Sequence, residues 1–213
     1  MGPSGAGKST LLRALTGAIA CDGGEVRVDG ATLDEWNREQ LGRHIGYMPQ
    51  TPTLFPASVH TNISRFAAVL AGETPELDRE VVAAAMAAGA HELILGLPQG
   101  YATMLGAGDG GGLSAGQGQA VALARALFGQ PTILFLDEPN AHLDSEGELR
   151  LAETIAALKA RGATVVVSTH RTGLLQSVDK IMLIKDGRMQ LFDERSKVVR
   201  SAPATAVAAG GAR

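Results

Sequence analysis

The sequence predicts an α/β fold, a mostly parallel sheet flanked by helices, with a helical segment inserted in its middle. Three observations carry that reading. Residues 133–136, 164–167 and 181–184 are short, unbroken apolar runs, the pattern of strands buried on both faces. Between the first two runs, Leu151, Ile155 and Leu158 recur at helical spacing and Gly162 supplies a stop. A strand, a helix and a strand in that order make a crossover unit, which places the two strands parallel. Finally, the chain opens with a Gly-rich loop that feeds a helix carrying Leu11, Leu12 and Leu15 on one face.

The remaining elements fit around this frame. Residues 25–28 form a strand candidate, and Asp29-Gly30 after them is a turn signal. Residues 45–48 are apolar and β-prone, and Pro49 stops the run. From Gln50 to about Gly112 the texture changes, with Ala-rich helical stretches such as 81–90 alternating with Pro and Gly breaks. A further helix is expected over 119–128. The chain is therefore read as one domain over residues 1–195, with a helical subdomain at about 51–125 and a flexible tail over 196–213 that is small and polar from 202 onward.

Composition bounds the function classes. At 213 residues the chain suits one domain. Apolar residues make up 45% but aromatics only 4%, so its core must be aliphatic. A formal net charge of −3 gives no electrostatic reason to expect a nucleic-acid partner. Cys21 is the single cysteine, which excludes an intrachain disulfide. No basic flank leads into an apolar leader, and no apolar run reaches membrane-spanning length; Arg125 interrupts the run over 120–128.

The chemistry starts at Gly2-Pro3-Ser4-Gly5-Ala6-Gly7-Lys8-Ser9-Thr10, which matches the Walker A pattern G-x-x-x-x-G-K-S/T. Glycines let the backbone curl so that successive N–H groups face phosphate oxygens, and the following helix turns its positive end to the same anion. Lys8 supplies a compact charge for the β- and γ-phosphates, and the hydroxyl of Ser9 is a magnesium ligand in such loops. A second constellation follows the 133–136 run: Asp137-Glu138 stands at a carboxyl strand end, where ligands of open parallel sheets bind. Asp137 is placed to hold Mg²⁺ through water, and Glu138 to polarise an attacking water as general base. His170, after the 164–167 run, reaches the same edge as a candidate sensor of the γ-phosphate.

These motifs alone also fit kinases, GTPases and helicases. Leu113-Ser114-Ala115-Gly116-Gln117 separates them, because a Ser hydroxyl and free N–H groups at a helix start form a second phosphate-binding surface. Two anion sites in one chain make sense if two copies meet head to tail and each completes the other's ATP site. With this element the sequence resembles the nucleotide-binding domain of ABC transporters. The resemblance runs to about residue 195 and rests on six ordered motifs: the Walker A, Gln50 as the Q-loop glutamine, 113–117 as the signature, 133–138 as the Walker B, Leu143-Asp144 as the D-loop and His170 as the switch histidine. Within the family, residues 42–50, Leu54-Phe55, Asn62-Ile63, 91–101, 138–140 and 143–148 look most like the type I secretion ATPases that export RTX-type proteases.

That resemblance implies ATP and Mg²⁺ as cofactors, ATP hydrolysis coupled to export, and a homodimer at the cytoplasmic face of a bacterial inner membrane. It also implies a membrane-spanning exporter domain, a periplasmic adaptor and an outer-membrane channel as partners. By the same resemblance Gln50 contacts Mg²⁺ and the attacking water, the segment after it faces the membrane domain, Asp144 reaches across the dimer, and Ser114, Gly116 and Gln117 bind the partner's ATP. Family members carry strands, and an aromatic that stacks on adenine, ahead of the Walker A; here the chain opens at the loop, so the reading is of an N-terminally truncated cassette. Three local departures accompany it: Ala115 in the third signature position, Gly118 and Ala120 in place of basic residues, and a stretch 106–112 that lacks the acidic residue at its usual place, with Asp109 as its substitute. The competing readings are an inactive cassette remnant and a non-transport ABC ATPase.

Overall fold

In the computed structural model, residues 1–106, 112–141, 143, 145–170 and 173–201 are described, with side chains up to residue 199. Along the chain, α1 (Lys8–Leu15) precedes a hairpin of β1 (Arg27–Val28) and β2 (Ala31–Thr32), then α2 (Arg38–His44) and β3 (Ile45–Met48). Four helices follow, α3 (Val59–Ile63), α4 (Ala67–Ala71), α5 (Pro75–Ala87) and α6 (His91–Leu95), and after them α7 (Ala115–Leu127). The last part comprises β4 (Ile133–Asp137), α8 (Ser145–Ala160), β5 (Thr164–Ser168), β6 (Lys180–Lys185), β7 (Arg188–Glu194) and α9 (Arg195–Ser201).

The apolar runs 45–48, 133–136 and 164–167 form a parallel sheet, as expected. Its order is β3-β4-β5, and β4 lies in the centre with four of its five residues buried. Unbranched polar residues are absent from Val165-Val166-Val167, and β-branched side chains suit the pleated surface. The register pairs Met48 with Leu136 and Asp137 with Ser168, so β4 and β5 finish level and β3 one residue earlier. Helix α7 packs on β3, and α8 packs on β5. Met48, Val121, Leu134, Leu136, Ile155 and Leu174 are all at most 1% exposed and meet in one core. Gly46 lets α7 approach closely: a Cβ there would lie 2.2 Å from the carbonyl oxygen of Ala126.

Helical spacing located the buried side of α8 correctly, since Leu151, Ile155 and Leu158 are its large buried residues. It overstated α1, where Leu12 alone of the three leucines is buried. Eight residues give little more than two turns, and such a helix presses one line of side chains on the sheet. α7 starts at Ala115, four residues before the expected 119, because Ser114 caps it: the N–H of Gln117 donates to Ser114 Oγ (3.3 Å), and the N–H of Ser114 donates to Gln117 Oε1 (2.9 Å).

Two strand expectations need correction outside the three-stranded sheet, in separate two-stranded hairpins. Only Arg27–Val28 of the 25–28 run is a strand, paired antiparallel with Ala31–Thr32 across Asp29-Gly30. Both turn residues have positive φ (50° and 85°), the geometry that closes a two-residue hairpin. The 181–184 run is likewise not a strand buried on both faces: β6 pairs antiparallel with β7, and only Ile181 and Ile184 are buried. Its partner β7 was missed, because Arg188-Met-Gln-Leu-Phe-Asp-Glu194 is mixed in polarity and mostly exposed. Finally, the tail does not begin at 196. Helix α9 runs to Ser201 and buries Val198, while 202–213 lie outside the described residues.

Among the described residues, no helix is long and apolar enough to cross a membrane. Core position should govern stability here. Ile155→Ala, at a site 1% exposed, is expected to cost about 2–5 kcal/mol in urea unfolding, and half-buried Leu15→Ala well under that.

Candidate active site

The phosphate loop is anchored at both ends. Met1 exchanges backbone hydrogen bonds with β6, through Met1 N to Met182 O (2.6 Å) and Ile184 N to Met1 O (2.9 Å). Gly187 N donates to Ala6 O (3.1 Å), which ties the far side of the loop to the β6–β7 turn. Gly2 sits so close to β6 that a Cβ would stand 2.1 Å from the carbonyl oxygen of Ile184. Gly5 and Gly7 adopt φ of 75° and 96°, conformations an L side chain resists, and Gly7 is the residue from which α1 starts. Ser4, Gly5 and Thr10 are exposed, Ser9 is half-buried, and Ala6 is buried beneath the loop.

Lys8 is 8% exposed, unusually buried for its type. Its Nζ donates to the carbonyl oxygens of Gly2 (2.9 Å) and Pro3 (2.8 Å), so the cation lies in the hollow of its own loop. It also stands 4.0 Å from Glu138 Oε1. The other oxygen, Glu138 Oε2, is 3.1 Å from His170 Nδ1. One carboxylate therefore spans the loop lysine and the histidine, and the Glu138 side chain is only 13% exposed.

The backbone explains how Glu138 gets there. Its N–H donates to Ser168 O (2.8 Å), which extends the β4–β5 ladder one residue past Asp137. Its φ is 50°, a left-handed conformation that costs a non-glycine residue about 1–3 kcal/mol. This turns the side chain off the strand axis, towards Lys8 on one side and His170 on the other. Thr169, 4% exposed, donates its hydroxyl to Asn140 Oδ1 (3.3 Å), and Asn140 Nδ2 donates to Glu148 Oε1 (3.1 Å). The loop that carries His170 is thus joined to the start of α8.

Asp137 is 1% exposed and its Oδ1 has no hydrogen-bond partner; the hydroxyl of its register neighbour Ser168 lacks one too. Unmet buried oxygens of this kind cost about 1–3 kcal/mol each, a cost a cation with its water shell removes. The donor set therefore fits Mg²⁺, which prefers few carboxylates, water and phosphate oxygens. Gln50 is exposed, two residues past the end of β3, on the edge shared with Asp137 and Glu138.

The signature residues lie apart from this group. Ser114 and Ala115 are exposed, and Gly116 and Gln117 half-buried, at the start of α7. Among the described residues, no hydrogen bond or ion pair connects them to the phosphate loop. Ser114 uses an acceptor lone pair on the cap, which leaves its O–H and the first N–H groups of α7 free to donate. Asp144 and Asp109 lie outside the described residues. Sequence reasoning gave no role to Asn140, Thr169 or Gln119. Only their positions beside named motifs hinted at one, since burial of a polar side chain is not visible in sequence.

A phosphate loop, a strand-end carboxylate pair and a histidine on a parallel sheet define a nucleotide-binding α/β protein of the P-loop class. The profile of the family described as "ABC transporter" matches residues 1–141. The chain is 48% identical over 200 residues to the type I secretion system ATP-binding protein PrsD of Rhizobium meliloti (strain 1021), a match covering 93% of this chain and 33% of that protein. It is 41% identical over 187 residues to ATP-binding cassette sub-family B member 6 of Mesocricetus auratus, covering 88% of this chain and 21% of the relative. A solved bacterial Atm1-family ABC exporter with ATP bound superposes with a TM-score of 0.84 at 32% identity, over all of this chain and 36% of that one. The chain belongs to the ABC transporter family and carries its ATP-binding domain. It spans a third or less of the length of these curated relatives.

The loop's closeness to β6 makes Gly2 sensitive. Gly2→Ala is expected to lower affinity for a fluorescent ATP analogue roughly tenfold or more, because the methyl must push loop and hairpin apart. Gly24→Ala also has positive φ but open space around it, and should cost about 1–2 kcal/mol of stability with affinity unchanged.

Proposed function

We propose that this chain binds Mg²⁺-ATP and hydrolyses it as the motor domain of an ABC exporter of the type I protein-secretion kind. The observation that carries the proposal is the placement of Glu138 between Lys8 and His170, at the end of a strand whose last residue, Asp137, holds an unpartnered buried oxygen. In this reading the loop N–H groups and Lys8 take the phosphates, and Lys8 exchanges its two carbonyl partners for phosphate oxygens. Ser9 Oγ and Gln50 would ligate Mg²⁺, with Asp137 joined through water. The ion, when bound, would neutralise charge on the transferred phosphoryl group. Glu138 accepts the proton of the attacking water, and His170 holds that carboxylate and the γ-phosphate in line.

The second half of the site comes from a second copy. The free donors at Ser114 and Gly116 suit the γ-phosphate of a partner's ATP, with Gln117 fixing the helix start; the family resemblance gives Asp144 the role of reaching across the dimer. A membrane-spanning domain docks on the segment after Gln50. There a cleft of about 430 Å³ is lined by Pro49, Thr53, Phe55, Arg65, Phe66 and Arg125, and Phe55 is 48% exposed. In this reading the chain works at the cytoplasmic face of a bacterial inner membrane, with a periplasmic adaptor and an outer-membrane channel as further partners; the 48% identity to a type I secretion system ATP-binding protein supports the secretion assignment.

The test is Mg²⁺-dependent ATPase activity of the purified chain. Glu138→Gln is expected to lower kcat by about 10²–10⁴ while ATP still binds. Lys8→Ala is expected to lose binding itself. Turnover that survives Glu138→Gln would exclude this carboxylate as the base.

A further inference from the structure

Gln119 has no part in the chemistry above, yet it is one of the few polar side chains buried in the core, at 3% exposure. It lies on α7, five residues after Ser114. Its Nε2 donates to Pro139 O at 2.8 Å and lies 3.4 Å from Glu138 O. Its Oε1 is buried without a partner. Two facing carbonyls fix the orientation of the amide, since a flip would set Oε1 against both of them.

The group that Gln119 holds is the left-handed residue itself. Glu138 is gripped on its N–H side by Ser168 O and on its carbonyl side by Gln119. A conformation of that kind persists only where its surroundings over-determine it. The grip comes from the same short helix whose first turn carries the free donors of Ser114 and Gly116. Five helical residues rise about 7.5 Å and move as one body. A hydrogen bond near 2.8 Å tolerates only a few tenths of an ångström of displacement before it weakens. A phosphate that pulls on the start of α7 therefore changes the hold on Glu138 in the same chain.

We propose that Gln119 is a positioning residue for Glu138, and that it transmits occupancy of the Ser114–Gly116 surface to the hydrolytic carboxylate of its own chain. In a head-to-tail pair this links the two ATP sites: the nucleotide held by one copy's loop reaches the other copy's Glu138 through the other copy's α7. The inference rests on the function proposed above for Glu138 and Ser114.

The test is Gln119→Met, which keeps the volume and removes the donor. Thermal unfolding first establishes that the variant folds. ATP affinity is expected to stay within about twofold of the unsubstituted chain and kcat to fall about tenfold or more; the unsubstituted chain is expected to give a sigmoid ATP saturation curve, and Gln119→Met a hyperbolic one. Equal losses in affinity and kcat, or an unchanged kcat, would overturn the proposal. A readout without turnover separates this from failure of the ATPase reading. Hydrogen exchange at the Glu138 amide should accelerate about tenfold in Gln119→Met, with Leu136 unchanged. Unchanged exchange at Glu138 contradicts the proposal whether or not the chain hydrolyses ATP. Mixed dimers of Gln119→Met with Glu138→Gln are expected to stay inactive, because the positioning acts within one chain; recovery to about half activity would show that it acts across the pair and would refute it.

Discussion

The hydrogen bond from the Glu138 amide to Ser168 O is the constraint on which the site depends. It carries the parallel β4–β5 ladder one step beyond the strand and then lets the chain turn into a left-handed conformation. Without that step the carboxylate would continue along the strand direction. With it, the two oxygens face Lys8 and His170. Everything upstream serves to make the ladder rigid: β4 is central and buried, α7 and α8 cover the sheet, and Asp137 and Ser168 end in register.

The buried polar groups around this point are unequally satisfied, and the inequality is informative. Asn140 is 1% exposed and bonded on both sides, to Thr169 and Glu148, so it acts as a brace. Asp137 Oδ1 and Ser168 Oγ are equally buried in effect but have no partner. Lys8 donates to two loop carbonyls. The unsatisfied oxygens and the folded-back cation lie on the same edge. Their needs are complementary to those of a hydrated cation and a polyphosphate, which is why these groups suit ligand binding rather than stability.

Much of this was legible in the sequence, for identifiable reasons. Unbroken apolar runs marked β3, β4 and β5, because burial on both faces leaves no polar alternation to confuse the period. Phosphate chemistry restricts residue type so strongly that Gly2, Gly7, Lys8 and Ser9 announced the loop. Polarity misled where an edge hairpin needed only one covered face, hence the missed β7 and the overrated 181–184 run. Gln119 and Asn140 were unreadable because their significance lies in a hydrogen bond to a carbonyl or a hydroxyl 20 and 29 residues away. The positive φ of Glu138 was equally hidden, since no glycine marks it.

The central claim is that the hollow now filled by the Lys8 ammonium is where ATP phosphates bind. The most direct measurement follows the Lys8 Nζ resonance by ¹⁵N NMR during titration with ATP and Mg²⁺. The account predicts saturation at one ATP per chain, with the Lys8 signal shifting in step as its carbonyl partners Gly2 and Pro3 are exchanged for phosphate oxygens. ATP that binds while the Lys8 resonance stays in place, or ATP that does not bind, would contradict it.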